Sequence, residues 1–356
     1  MSWRKWLPRA LVWFGASTLV RVGLSVVASG TAHPISSGRD GHHYLAIALG
    51  GYDEGNAVFP PLYPWCVEVL AWLFPPELAA FAASLLPAGV ATVLFGLLIG
   101  RDRLTAGADE REARADADFG AFAFTFASYA WLHMSATPGS EAIGMATLLA
   151  AILLFKSGRL GWGAVVLGAA SLSRTTFFMF APYFAWLAFM ARRRKLDVLL
   201  AGAAGIGVVV QHLFAWGVFG HFVSLTDIQR VQWGSWTDYP FAVYLHLGNV
   251  TYPTSLIVKV TGVLLAYLVA LVYLRKTEWL LQGAPLLLLL VSLSSYAFFG
   301  YGFVRQAIPI LAPFVALVEV TRGRPRWRWV VAVVLVGLAL RLSVALTLWQ
   351  GNRAYL

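Results

Sequence analysis

Apolar runs close to the membrane-spanning length recur from one end of the 356-residue chain to the other. That feature limits the fold more than any motif. A hydrocarbon core about 30 Å thick offers no water to backbone N–H and C=O groups, so such runs cross it as helices, which pair those groups internally. Composition agrees: 59% of residues are hydrophobic, 12% are charged and mean hydropathy is +0.70, whereas a soluble domain is about a quarter charged. The expected fold class is an all-α polytopic membrane protein, a helical bundle forming one integral membrane domain over 1–356.

Eleven spans are expected, near 10–28, 78–99, 119–136, 140–156, 161–173, 177–191, 197–219, 254–274, 279–299, 306–321 and 329–348. The fifth, "RLGWGAVVLGAASLS", is short and reads as tilted or incomplete. The N-terminus has the basic start and apolar stretch of a signal peptide. A retained first helix fits better, because the same pattern repeats downstream.

Charge sets the orientation. With the N-terminus inside, 19 of the 27 Lys and Arg residues fall on the inner side and six on the outer side: Arg39, Arg174, Arg230, Lys259, Arg305 and Arg353. Arg21 and Arg341 fall within spans. The positive-inside rule therefore predicts N-in, C-out. The formal net charge of +10 is explained by these short basic loops; no basic stripe interleaved with aromatics marks a nucleic-acid surface, so nucleic acid is excluded as a partner. Cys66 is the sole cysteine, so no intrachain disulfide forms and no Cys/His spacing suggests structural zinc.

This topology leaves two long extracytoplasmic segments, 29–77 and 220–253. In the first, the apolar stretch Leu62–Phe74 is too short to span and is bracketed by prolines, which reads as an interfacial or re-entrant helix. The second, with Arg230, Trp233, Trp236 and Asp238, reads either as an acceptor groove or as an interfacial aromatic belt. The inner stretch "RDRLTAGADEREARADADFG" reads as a solvated connection, and "GLLIG" at Gly96–Gly100 as close helix packing.

Four ionisable residues then converge on the outer face. Asp40 follows the first span in "GRDGHHYLAIALGGY", Glu141 opens the fourth, Arg174 joins the fifth and sixth, and Arg305 opens the tenth. All border apolar sequence, where ionised groups are costly unless they pair or bind something. A carboxylate can take a hydroxyl proton, and arginine forks bind phosphate oxygens. Base and phosphate clamp together suit transfer from a lipid-linked phosphate to an acceptor hydroxyl. Plainer readings exist for each: Asp40 pairing with Arg39, Arg174 and Arg305 snorkelling to the interface, Glu141 as a helix-start acid after "TPGS". His42 and His43 are adjacent and point apart, so a polar contact from His43 fits better than joint metal chelation. Asp53 and Glu54 read as solvating the turn after Tyr52. Arg21 and Arg341 pair with an acid or with a lipid phosphate.

The segment "RDGHHYLAIALGGYDEGNAVFPPLYP" (Arg39–Pro64) resembles the first outer loop of the PIG-V family, the GPI mannosyltransferase II group and its prokaryotic relatives. Asp40, His43, Tyr44, Leu45, Ile47, Ala48, Gly51 and Tyr52 fall in register on its pattern, and Ala57, Phe59, Pro60 and Pro64 follow at the right distance. Ser140-Glu141-Ala142 resembles its Ser-Glu-Ala, Arg174 the arginine of its Arg-Ser-Asn-Gly element, and Arg305 its arginine before a Pro-containing helix. Arg39 stands where the family has Trp, and Thr175-Thr176-Phe177 where it has Ser-Asn-Gly.

The resemblance implies a GT-C glycosyltransferase in a prokaryotic plasma membrane with an outward-facing site. Its donor would be dolichyl- or polyprenyl-phosphate-mannose and its acceptor a glycolipid or glycan, with membrane lipids around it. Asp40 would be the catalytic base and Arg174 and Arg305 the donor-phosphate contacts, with His43, Tyr44, Tyr52 and Glu141 touching substrate. Some GT-C enzymes use a divalent metal, Mg2+ or Mn2+, for which Asp40 and Glu141 would supply oxygen ligands. The rival class is a transporter or flippase of a lipid-linked saccharide, and a second rival is a catalytically inactive scaffold. The absence of an internal repeat favours the enzyme over the transporter.

Overall fold

The computed structural model describes residues 3–29, 39–126, 129–174, 177, 180–190, 206–225, 227–228, 231, 265, 268–274 and 311–353. Among these the chain is all-helical, as expected. The helices are α1 (Trp3–Ser29), α2 (Arg39–Gly50), α3 (Leu62–Ala71), α4 (Pro76–Thr105), α5 (Glu110–Phe126), α6 (Tyr129–Ser135), α7 (Glu141–Lys156), α8 (Leu160–Ser173), α9 (Ala181–Met190), α10 (Ile206–Phe219), α11 (Ala312–Val320) and α12 (Pro325–Arg353). Two have apolar stretches long enough to cross a membrane, Trp6–Val26 and Pro76–Thr105; Leu62–Ala71, Leu160–Ser173 and Val209–Phe219 are apolar but shorter. The expected spans 279–299 and most of 254–274, with Arg305 and the groove residues Arg230, Trp233, Trp236 and Asp238, lie outside the described residues.

The α4 helix is the axis of the assembly and packs against α1, α3, α5 and α7. Small residues let it do so. A Cβ on Gly96 would stand 3.0 Å from Ala117 O on α5 and 3.0 Å from the Trp6 ring on α1, so "GLLIG" does serve close packing at this position. The main core lies between α4, α5, α7, α8, α9 and α11, centred on Phe95, Phe124, Trp131, Leu148 and Phe314. A separate core beneath the first loop joins Tyr44, Ile47, Tyr63, Val67, Ala79 and Ala83.

Two expectations are corrected. The span expected at 119–136 belongs to two helices, α5 and α6. The inner "solvated connection" is folded: α5 begins at Glu110, and the Asp116 carboxylate is buried between Arg103 and Arg328. Arg103 Nε donates to Asp116 Oδ2 at 2.7 Å, and Arg328 Nη2 donates to Asp116 Oδ1. Arg328 also lies 5.1 Å from the Phe119 ring centroid. Pairing internally and across to α12 lets Arg103 and Asp116 leave water, while Thr105, Asp109, Arg111 and Glu112 stay exposed.

Removing the shared carboxylate leaves the buried Arg103 guanidinium with Glu112 at 3.3 Å as its remaining acid and takes the carboxylate from the part-buried Arg328. Asp116→Ala is expected to cost about 3–5 kcal/mol, read as a large fall in melting temperature of the detergent-purified protein. An unchanged melting temperature would show that these groups are solvated.

Candidate functional site

The chain segment carrying Asp40 is a helix, α2, which ends where Gly51 takes a left-handed conformation (φ 84°) and its N–H closes on Ile47 O at 2.8 Å. Asp40 lies in the first turn, half-buried, where the helix dipole favours an ionised carboxylate. Four residues on, and therefore on the same face, is Tyr44, which is buried. Its ring meets Phe59 edge-on at 5.0 Å and Tyr63 at 4.7 Å. Its hydroxyl donates to Ser140 Oγ at 2.9 Å. His43 stacks on Phe59 at 5.3 Å, and His42 is exposed.

Glu141 is the first residue of α7 and is buried; its Oε1 pairs with Arg174 Nη1. Arg174 leaves α8 in an extended conformation, its N–H bonded to Ala170 O at 3.1 Å. One link ties the helix that carries Asp40 to the Glu141–Arg174 pair: Tyr44, on that helix, holds Ser140, the residue before Glu141. Glu141 is the acid of the first turn of α7, as expected after "TPGS". Ser140 has a helical backbone and makes no side-chain cap; its hydroxyl accepts from Tyr44.

The turn 136–140 that delivers Glu141 is buried throughout. Backbone groups removed from water need partners, and neighbouring helices supply them. Ser25 Oγ of α1 donates to Ala136 O at 2.8 Å. Ser84 Oγ of α4 accepts from Gly139 N–H at 2.9 Å and donates to Gly139 O at 3.1 Å. Tyr63 OH of α3 donates to Ala80 O at 2.7 Å and sits 3.1 Å from Ser84 Oγ. Burial, with Tyr44 and Glu141 nearby, raises the Tyr63 phenol above the ordinary tyrosine range, so it stays a neutral donor. Burial, reinforced by Tyr44, does the same to Tyr52, whose hydroxyl donates to Phe59 O at 3.0 Å.

Sequence reasoning missed Tyr63, Ser84 and Gly139. A Cβ on Gly139 would lie 2.7 Å from Glu141 Oε2, so the glycine makes room for the carboxylate; "PGSE" carries that signal. The departure at Phe177 also has a reason. Phe177 is buried, and a Cβ on Gly144 of α7 would stand 2.7 Å from its ring.

Around the site, Asp53 does not merely solvate the turn: its carboxylate accepts from Asn56 N–H at 2.9 Å, and Asn56 Oδ1 accepts from Asp53 N–H at 2.9 Å. Glu54 pairs with His221 at 3.2 Å. Gln211 of α10 donates to Val58 O at 3.3 Å, and Phe214 meets Tyr52 and Trp65 edge-on. A cavity of about 880 Å³, lined in part by Ile99, Arg103, Val315 and Arg322, lies at the other end of α4 from Ser84, about 22 Å along the helix. It is not part of this cluster.

Among the described residues no three of His, Cys, Asp and Glu come together as a metal site, and Glu141 is engaged by Arg174. No family model matches the chain, and no curated protein matches it.

Overpacking the turn gives a direct check. Gly139→Ala is expected to destabilise by about 1–3 kcal/mol. The same change in a Glu141→Ala background should cost less, because the opposing carboxylate is gone. Additive losses in a thermal-unfolding double-mutant cycle would show that the two residues do not meet.

Proposed function

We propose that the chain is a multi-pass membrane glycosyltransferase of GT-C type, with about eleven spans, N-in and C-out, in a prokaryotic plasma membrane. It moves a sugar, mannose by resemblance to the PIG-V family, from a polyprenyl-phosphate donor to a hydroxyl of a glycolipid or glycan on the extracytoplasmic side. The observation that carries the reading is that Tyr44, on the helix that carries Asp40, is tied through Ser140 to the turn that opens into the Glu141–Arg174 pair.

In this reading Asp40 accepts the proton of the acceptor hydroxyl as that oxygen bonds to the anomeric carbon. The bond from the anomeric carbon to the lipid phosphate oxygen breaks on the opposite face, giving inversion. Both electrons of that bond leave with the phosphate. Arg174, with Arg305 in the outer start of the tenth expected span, stabilises the charge growing on the leaving group, where electrostatic stabilisation counts most. A guanidinium carries five N–H donors, so Arg174 can engage Glu141 and a phosphate oxygen together. Tyr44, His43 and Tyr52 shape the donor side of the site. No step runs through a metal.

The deciding measurement is sugar release from radiolabelled polyprenyl-phosphate-mannose by purified protein supplied with lipid and glycan acceptors. Asp40→Asn is expected to retain donor binding and to lose about 10²–10⁴-fold in turnover, the usual share of a general base. Transfer unaffected by Asp40→Asn would overturn the assignment of the base. Movement of the intact donor across vesicles with no transfer would replace the enzyme with a flippase.

A further inference from the structure

The α1 helix carries a charge without a counterion among the described residues. Arg21 is fully buried in a helix long and apolar enough to cross a membrane. Its Nε donates to Ser135 Oγ at 2.6 Å and its Nη1 to Ser17 O at 3.0 Å and to Ser17 Oγ. Its Cζ lies 5.4 Å from the Trp131 ring centroid. All these partners are neutral. Among the described residues no carboxylate pairs with it, and its Nη2 has no hydrogen-bond partner. One turn earlier, the buried Thr18 Oγ1 also lacks a partner. Residues three apart share a helix face, so one face of α1 carries both unfilled polar groups.

Arginine stays protonated, and a buried cation without an anion is strongly unfavourable. We propose that the Thr18–Arg21 face of α1 is an oxyanion site that takes the phosphate of a lipid. The planar fork of Nη2 and the threonine hydroxyl match phosphate oxygens. Depth selects a lipid over free phosphate. Arg21 lies five residues inside Val26, the end of the apolar stretch, or about 7.5 Å along the axis. A soluble anion would have to shed its water to get there, whereas a lipid brings its own apolar tail. Most of α1 is open to such a tail: only 22% of its apolar window is buried, and Leu19, next to Thr18, is 72% exposed. Thr18 is itself part-exposed, so this face of α1 reaches the open surface beside Leu19. Through Ser135 the same arginine touches the end of α6, from which the turn to Glu141 departs.

The oxyanion site stands on these contacts alone; preferring a polyprenyl phosphate to a membrane phospholipid rests on the transferase reading. The test is binding of tritiated farnesyl phosphate to the full-length protein in detergent, with farnesol and phosphatidic acid as competitors. The variants are also made in an Arg174→Gln background, so that binding there does not mask the effect. Arg21→Gln is expected to weaken binding about tenfold or more and Thr18→Val about threefold, losses of the size charged and neutral hydrogen bonds carry. Arg21→Lys should fall between wild type and Arg21→Gln, and farnesol should compete poorly. If Arg21→Gln does not fold, Thr18→Val and Arg21→Lys carry the test. Equal competition by phosphatidic acid supports a general lipid-phosphate site; weak competition supports a polyprenyl carrier. Unchanged affinity in Thr18→Val and Arg21→Lys, or farnesol competing as well as its phosphate, overturns the proposal. Arg21-dependent binding without sugar transfer would remove the transferase reading and leave the site. Sugar transfer by a protein whose binding ignores Thr18 and Arg21 would do the reverse.

Discussion

A buried turn has no water to satisfy its backbone, and the half of this protein around α2, α3 and the start of α7 is arranged around that constraint. Residues 136–140 leave α6 and enter α7 without exposure, so their polar groups must be met by side chains. Ser25 brings α1 to Ala136, Ser84 brings α4 to Gly139, and Tyr44 brings α2 to Ser140. Each contact draws a different helix to one short stretch of chain. Loosening the turn would therefore disturb the place where Glu141 and Arg174 meet, along with the helix that carries Asp40.

The same physics acts at both ends of α4 with different partners. At its C-terminal end, Asp116 is shared by Arg103 and Arg328; at its N-terminal end, Glu141 pairs with Arg174. Between them lie aromatic and aliphatic side chains such as Phe95, Phe124 and Phe314, with Phe95 stacked on Phe124 at 4.9 Å. Charges buried near apolar chain survive by pairing. Arg21 departs from this pattern, since its partners are serines and an indole.

These arrangements bear on chemistry through positioning. A base works only within hydrogen-bond reach of the proton it takes, and a clamp works only where charge develops. Asp40 sits one helical turn from Tyr44, and Tyr44 holds the residue before Glu141. A transferase reading gives that linkage a purpose, because base and phosphate contact must keep a fixed separation across a reacting bond.

Local pattern made much of the fold legible. The all-helical class follows from apolar runs that admit no other backbone. The expected spans 140–156 and 161–173 match Glu141–Lys156 and Leu160–Ser173 to within a residue, because glycine, serine and charge mark those ends in the chain itself. The sequence also showed that Asp40, Glu141 and Arg174 are charges set beside apolar chain. What it could not decide is partnership. Arg174 meets a residue 33 positions away, Tyr44 one 96 away and Arg21 one 114 away. Nor does periodicity separate α5 from α6, since apolar spacing runs on through Phe126 into Tyr129. Composition and period are properties of neighbours along the chain, whereas burial, ion pairing and the filling of a turn's hydrogen bonds depend on helices that meet only after folding.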